Sequence, residues 1–305
     1  MSSSRLLTPT TLPIPLLSSS LAKRYSYVHT LLIPAYYNFR ASALVADPFP
    51  TMLTDLLVVG FLQAVFCTVC LPSAGYWRSG TTGGMIVQGT ATTAKSSKGG
   101  SRSVSSAAGA GGGLRKKGGV SNKHDGVGGS FGARVMPTFF SLVLTLFLPP
   151  LPLAVIALVL GAPLYPTTLL PTTLVLAAHV SLLGFLPIFY THGVSSPAWR
   201  DVAAAWLPFD EAGVWAATVG GMVGGWIGAV PMALDWDREW QKWPCTVLWG
   251  VVAGWAVGRV LTNVLRLGIG RRINLSEHEE KNEDIAAGGV AAAASGKMIV
   301  DGKID

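Results

Sequence analysis

Met136-Pro137-Thr138-Phe139-Phe140-Ser141-Leu142-Val143-Leu144-Thr145-Leu146-Phe147-Leu148 opens a run that reaches Tyr190 without one Asp, Glu, Lys or Arg, 55 consecutive uncharged positions. A soluble core does not tolerate a stretch of that length, whereas a helix needs only about 20 apolar residues to cross a bilayer. The run therefore reads as two spans, and the chain as an all-α, polytopic membrane protein. The break falls at Gly161-Ala162-Pro163, which leaves a third span over about 137–160 and a fourth over about 167–190. Pro149, Pro150 and Pro152 predict a kink in the third, with neighbouring helices satisfying the freed carbonyls. Toward the N-terminus lie spans over about 27–45 and 52–71, joined by the tight turn Asp47-Pro48-Phe49-Pro50. Toward the C-terminus lie spans over about 213–234 and 245–267, for a total of about six transmembrane helices.

The composition agrees. Only 13% of the 305 residues are charged, against about 25% in soluble domains, and the mean hydropathy is +0.46. The net charge of +7 is not spread evenly. Residues 73–135 hold nine Lys/Arg and one acid, and the remaining chain holds 14 basic and 15 acidic groups. The basicity thus belongs to one segment, which excludes a nucleic-acid partner. That segment holds 17 of the 36 glycines and has little apolar surface to bury, so it reads as a long disordered basic loop. The expected organisation is a disordered tail at 1–24, a transmembrane hairpin at 25–72, the basic loop at 73–135, spans three to six at 136–267 and a disordered tail at 268–305. Short-flank Lys/Arg residues, among them Lys23, Arg24, Arg200, Arg266, Arg271 and Arg272, fall on one side if six helices alternate. The positive-inside rule makes that side the cytosol, with both termini there. Asn274-Leu275-Ser276 is a glycosylation sequon that this topology keeps unmodified, and a glycan on Asn274 would overturn it.

Several groups inside the spans call for a structural or functional account. Gly220, Gly224 and Gly228 recur every four residues in the fifth span, and Gly250, Gly254 and Gly258 repeat the pattern in the sixth. Small residues at this spacing let helix backbones approach closely in lipid, so the two spans are expected to pack on each other, with a partner protein as the other occupant of a ladder. Arg40 and Asp55 flank the first turn at similar depth and are expected to pair across the hairpin, because an intramembrane charge needs a partner or an exit. Arg259 lies near a span end and is expected to snorkel to the interface. His179 reads as a packed, hydrogen-bonded core histidine. Cys67 and Cys70 form a C-x-x-C inside an apolar run and read as small packing residues. No metal ligand set, no cofactor motif and no catalytic residue is expected; the Gly-rich run at 109–113 lacks the Gly-Lys-Ser/Thr ending of a phosphate loop.

The densest charge and tryptophan sit between spans five and six, in Leu234-Asp235-Trp236-Asp237-Arg238-Glu239-Trp240-Gln241-Lys242-Trp243-Pro244. Wound as a helix, this stretch places Trp236, Trp240 and Trp243 on one face and its charges on another. Tryptophans on one face suit the headgroup boundary, and Trp with Arg also suits a docking surface. The acidic residues alone are a weak metal site, since Arg238 and Lys242 already offer counter-charges.

This loop, with the preceding Gly225-Trp226-Ile227-Gly228-Ala229-Val230-Pro231, resembles the signature of the PIG-F family. Leu44-Val45-Ala46-Asp47-Pro48, Leu62-Gln63, Gly161-Ala162-Pro163-Leu164, His179-Val180-Ser181-Leu182-Leu183, Thr191-His192-Gly193 and Ala198-Trp199-Arg200-Asp201 are similar in the same order. Ala233 departs from the proline that family members tend to carry there. The resemblance implies a multi-pass endoplasmic reticulum protein in glycosylphosphatidylinositol (GPI) anchor biosynthesis. It implies a non-catalytic subunit that stabilises the large ethanolamine phosphate transferases, which add phosphoethanolamine to mannoses of the GPI precursor. Its expected partners are those transferase subunits and membrane lipids, with the GPI precursor as one candidate. The residues expected to serve the partner are Asp235, Trp236, Asp237, Arg238, Trp240, Gln241, Trp243 and Pro244. Two other classes compete: a lipid transporter or scramblase, and a membrane-embedded lipid phosphotransferase. The sequence lacks the spaced acidic array of the second, and only the third span shows a sequence break of the kind the first uses.

Overall fold

The computed structural model describes residues 11–75, 131–234, 236 and 238–273. Among them every regular element is helical. The helices are α1 (Ser20–Phe39), α2 (Ala41–Ala46), α3 (Pro48–Cys70), α4 (Phe131–Phe147), α5 (Pro150–Val159), α6 (Leu170–Gly184), α7 (Leu186–His192), α8 (Ser196–Ala203), α9 (Val214–Gly228) and α10 (Cys245–Arg259). Short 3-10 turns precede α6 and follow α9, and α10 runs on into a π turn at Val260–Val264.

Among the described residues, five helical stretches are long and apolar enough to cross a membrane: Pro48–Cys70, Gly132–Val159, Thr167–Gly184, Val214–Ala233 and Cys245–Val264. The 20-residue α1 is not among them; it carries Lys23, Arg24, His29 and Asn38, and packs against α3 and α10. The third span breaks at Leu148-Pro149, where Pro149 and Pro150 withhold backbone donors. Only 17% of its most apolar 18-residue window is buried: α4 and α5 rim the bundle with most of their surface free of protein, which accounts for the uncharged run. The fourth span, expected to be uninterrupted, is also broken. Phe185 separates α6 from α7, because Pro187 has no N–H with which to continue the ladder.

Two buried clusters run along the bundle. One gathers Ile14, Leu17, Phe66, Leu186, Tyr190, Leu207 and Trp215. The other gathers Ile33, Tyr37, Leu44, Met52, Leu183, Leu248 and Trp255. Long-range hydrogen bonds mark the two ends. At one end the Leu17 N–H donates to Cys70 O (2.9 Å), and Thr11 donates to Asp201 Oδ2 from its N–H (3.1 Å) and its hydroxyl (2.8 Å). At the other, Cys245 Sγ reaches Leu44 O (3.5 Å) and Trp243 Nε1 donates to Thr173 Oγ1 (3.2 Å).

The first of these ends corrects the expected tail boundaries. Residues 11–24 are packed rather than free, because buried Asp201 collects both donors of Thr11 and because Ile14 and Leu17 enter the core. Residues 268–272 dock as well: Gly270 N–H donates to Phe209 O (2.8 Å), and Phe209 N–H to Arg271 O (2.9 Å). Arg272 reaches the carbonyls of Trp206 and Thr11. Apart from residues 73–75 and 131–135, the basic loop lies outside the described residues, as does the remainder of the C-terminal tail.

Candidate functional site

The closest helix pair in the bundle is α9 with α10, and its seam is made of the two glycine ladders. Their approach can be judged from what an added methyl would meet. A Cβ on Gly220 would fall on the carbonyl oxygen of Gly254, and one on Gly254 would fall on the oxygen of Gly220. Gly224 and Gly250 form the same reciprocal pair, Gly258 meets the oxygen of Ala216, and Gly228 would place a Cβ 2.5 Å from Thr246 O. Each glycine therefore aims a Cα–H at a carbonyl of the other helix, the weak hydrogen bond that recurs where helix backbones touch. Gly221 sits one residue away and is different: its Cβ would lie 3.6 Å from Val251 O, an ordinary contact.

The loop that joins these helices is not a helix, contrary to the expected sorting into faces. Among its described residues, only Glu239–Gln241 form a 3-10 turn. The reason is the Gln241 side chain, which takes over the work of backbone pairing. Its Nε2 donates to Pro231 O (2.5 Å) and Leu234 O (2.9 Å), and its Oε1 accepts from the Arg238 N–H (2.8 Å). Trp236 and Trp240 meet edge-to-face with centroids 5.9 Å apart. Trp243 turns the other way, onto Thr173 of α6. Glu239 pairs with Lys242, and Pro244 directly precedes α10. Asp235 and Asp237 lie outside the described residues.

In the first hairpin, Arg40 Nε donates to Asp55 Oδ1 at 2.9 Å, and the Tyr36 hydroxyl donates to the same oxygen at 2.7 Å. Asp55 is buried while the Arg40 side chain is 32% exposed, so the carboxylate depends on the pair more than the guanidinium does. Asp55→Arg or Arg40→Asp alone is expected to lower the melting temperature of the purified protein, because the buried position of Asp55 is left without a counter-charge. The double swap is expected to recover part of that loss; a double variant as unstable as the worse single one would sink the pairing.

His179 is held from both sides. Its Nε2 lies 2.9 Å from Met52 O and so donates, which leaves Nδ1 to accept from the Tyr37 hydroxyl at 2.6 Å. Cys67 and Cys70 are both free and buried, and Cys70 Sγ donates to Ala22 O.

Arg259 corrects a further expectation. It does not snorkel: it is 1% exposed. Its Nε donates to Thr30 Oγ1 (3.1 Å), and its Nη2 to Ser26 Oγ (3.0 Å). The guanidinium lies 4.2 Å from the Phe66 ring centroid and 5.2 Å from that of Trp255. Asn263, one turn on, donates to Ser26 Oγ at 2.5 Å. His29 completes the cluster, stacked on Phe66 at 4.6 Å. Ser26, Thr30 and Asn263 were not expected to matter, yet Ser26/Thr30 and Arg259/Asn263 are both i,i+4 pairs, the spacing of neighbours on one helix face. Nearby, Asp210 caps α9 by accepting from the Val214 (2.9 Å) and Trp215 (2.8 Å) N–H groups. Burial pushes its carboxyl up to about 6, against the pull of those donors.

The arrangement is an apolar bundle with a sealed C-terminal helix pair, a side-chain-braced loop and a cation locked inside. The profile of the GPI biosynthesis protein family Pig-F matches residues 28–263, and so spans all three features. The chain belongs to the PIG-F family. Among its relatives, glycosylphosphatidylinositol anchor biosynthesis protein 11 of Neurospora crassa is 35% identical over 256 residues, covering 84% of this chain and 80% of that protein. The protein of the same name from Aspergillus fumigatus is 36% identical over 256 residues, 83% of each. The human GPI ethanolamine phosphate transferase, stabilizing subunit, is 32% identical over 114 residues, 35% of this chain and 49% of that one. No solved structure matches the chain.

Proposed function

We propose that this chain is a non-catalytic membrane subunit of GPI-anchor biosynthesis. It resides in the endoplasmic reticulum with both termini in the cytosol and stabilises one or more large ethanolamine phosphate transferases. The observation that carries this reading is membership of the PIG-F family, one of whose human relatives is named for that stabilising role. The geometry supports a scaffold. The glycine seam fixes α9 against α10, Gln241 braces the loop between them, and Trp236 is left 54% exposed at its edge. A rigid surface with an exposed tryptophan suits a permanent membrane partner, and the residues assigned to it are Trp236, Arg238 and Trp240, with Asp235 and Asp237, while Trp243 anchors the loop to α6.

Depletion of the protein is expected to lower the level of the transferase subunit. GPI precursors lacking phosphoethanolamine on the second or third mannose should accumulate. Unchanged precursors after depletion would refute the reading. Transfer of phosphoethanolamine by the purified chain alone would show it to be an enzyme instead.

A further inference from the structure

We propose that the cavity between α5, α6, α9 and α10 binds one acyl chain of a phospholipid, entering sideways from the bilayer. The cavity has a volume of about 210 Å³ and is walled by apolar side chains, among them Ala157, Ala177, Met222 and Val251, and by the bare backbones of Gly221 and Gly225. It exists because α5 and α9 both pack on α6 while packing little on each other, which leaves a wedge between them. Several of its lining residues also face outward, among them Ile156 (52% exposed), Leu160 (69%), Trp226 (68%) and Met222. The mouth therefore opens toward lipid.

The lining of the cavity points to the occupant. It runs along the bundle, from Leu153 to Gly161 on one wall and from Gly221 to Met232 on the other, and its side chains are apolar. An acyl chain, long and without polar groups, matches that lining. The position agrees. Gly161, Met232 and Trp243 line the cavity at the end of the bundle that carries the tryptophan loop, and tryptophans settle at the boundary between headgroups and hydrocarbon. A lipid with its polar head at that level has its chain at the depth of the wedge. Burial of each methylene there is neutral against bilayer hydrocarbon, so occupancy comes from shape and from closing the gap between α5 and α9.

The test uses the purified full chain in phosphatidylcholine vesicles that contain phosphatidylcholine with a photoactivatable diazirine in mid-chain. Irradiation and peptide mapping should place adducts on Ala177 and Val251 inside the cavity, beyond what bulk-exposed Leu57 and Phe61 collect. Ala157→Phe and Val180→Phe fill the wedge from α5 and from α6. Either variant, once shown to fold by its melting temperature, should lose cavity adducts severalfold while keeping those on Leu57 and Phe61. Wild-type adducts confined to outward residues would overturn the proposal whether or not the variants fold. So would adducts at Ala177 that persist in a folded, filled variant. In the co-purified transferase complex the cavity adducts should remain; their replacement by crosslinks to the partner would assign the wedge to protein instead.

Discussion

Gly254→Ala is expected to remove most of the folded protein, while Gly221→Ala, an identical methyl on the facing helix, should be nearly silent. The difference lies in what the methyl meets. At Gly254 it lands on the backbone oxygen of Gly220 and lies 2.9 Å from the Cα of Gly224, and neither can turn away as a side chain would. The helices must separate, and separation is not local: the reciprocal contacts Gly220–Gly254 and Gly224–Gly250 and the Gly258–Ala216 contact lie along one seam, so all of them lengthen together. The cost is expected to reach about 3 kcal/mol, the upper end for overpacking. At Gly221 the methyl finds Val251 O at 3.6 Å and Trp255 Cβ at 3.7 Å and is accommodated. Thermal unfolding of the detergent-purified variants reads both effects. Equal stability of the two would show that α9 and α10 sit farther apart than described.

Arg259→Ala is the second large effect. The substitution empties the space over Phe66 and beside Trp255; buried Thr30 loses its donor, and Ser26 keeps only that of Asn263. Void and lost hydrogen bonds together are expected to cost about 3 kcal/mol or more. Arg259→Met fills the void and should recover part of this. Arg259→Lys restores the charge but not the planar fork that reaches Thr30 and Ser26 at once, so it too should recover only part. A melting temperature unchanged in Arg259→Ala would mean that the cluster contributes nothing to holding α1 against α10.

The contrast between these two features explains what was legible in the sequence. The glycine ladders can be read because both sides of the seam carry the same four-residue period and one short loop brings them together. The Arg40–Asp55 pair can be read for a similar reason: a single tight turn sets both groups at one depth. Arg259 was misread because its partners Ser26 and Thr30 lie 233 and 229 positions away in sequence. Without them, a cation near a span end has only the interface as an exit. The packed segment at 11–19 was missed for the same cause, since its anchor is Asp201, 190 positions away. The tryptophan loop failed differently. Its spacing does fit a helical face, but one glutamine side chain satisfies two carbonyls and one N–H, and periodicity carries no trace of that substitution. The break at Phe185 was missed because Pro187 stands alone there, whereas three prolines announce the break in the third span.

The placement of Arg259 also sets an order of events during biogenesis. Spans enter the membrane as they are made, first to last. The hydroxyls of Ser26 and Thr30 thus arrive early, on the polar first helix, and wait through the synthesis of more than two hundred residues for the guanidinium that ties them down. The last span brings that group in together with its glycine seam to α9. The finished bundle is locked by the residue that comes late, and a chain cut short before Arg259 keeps its first helix unlatched, a difference that the cell's surveillance of membrane proteins has physical grounds to detect.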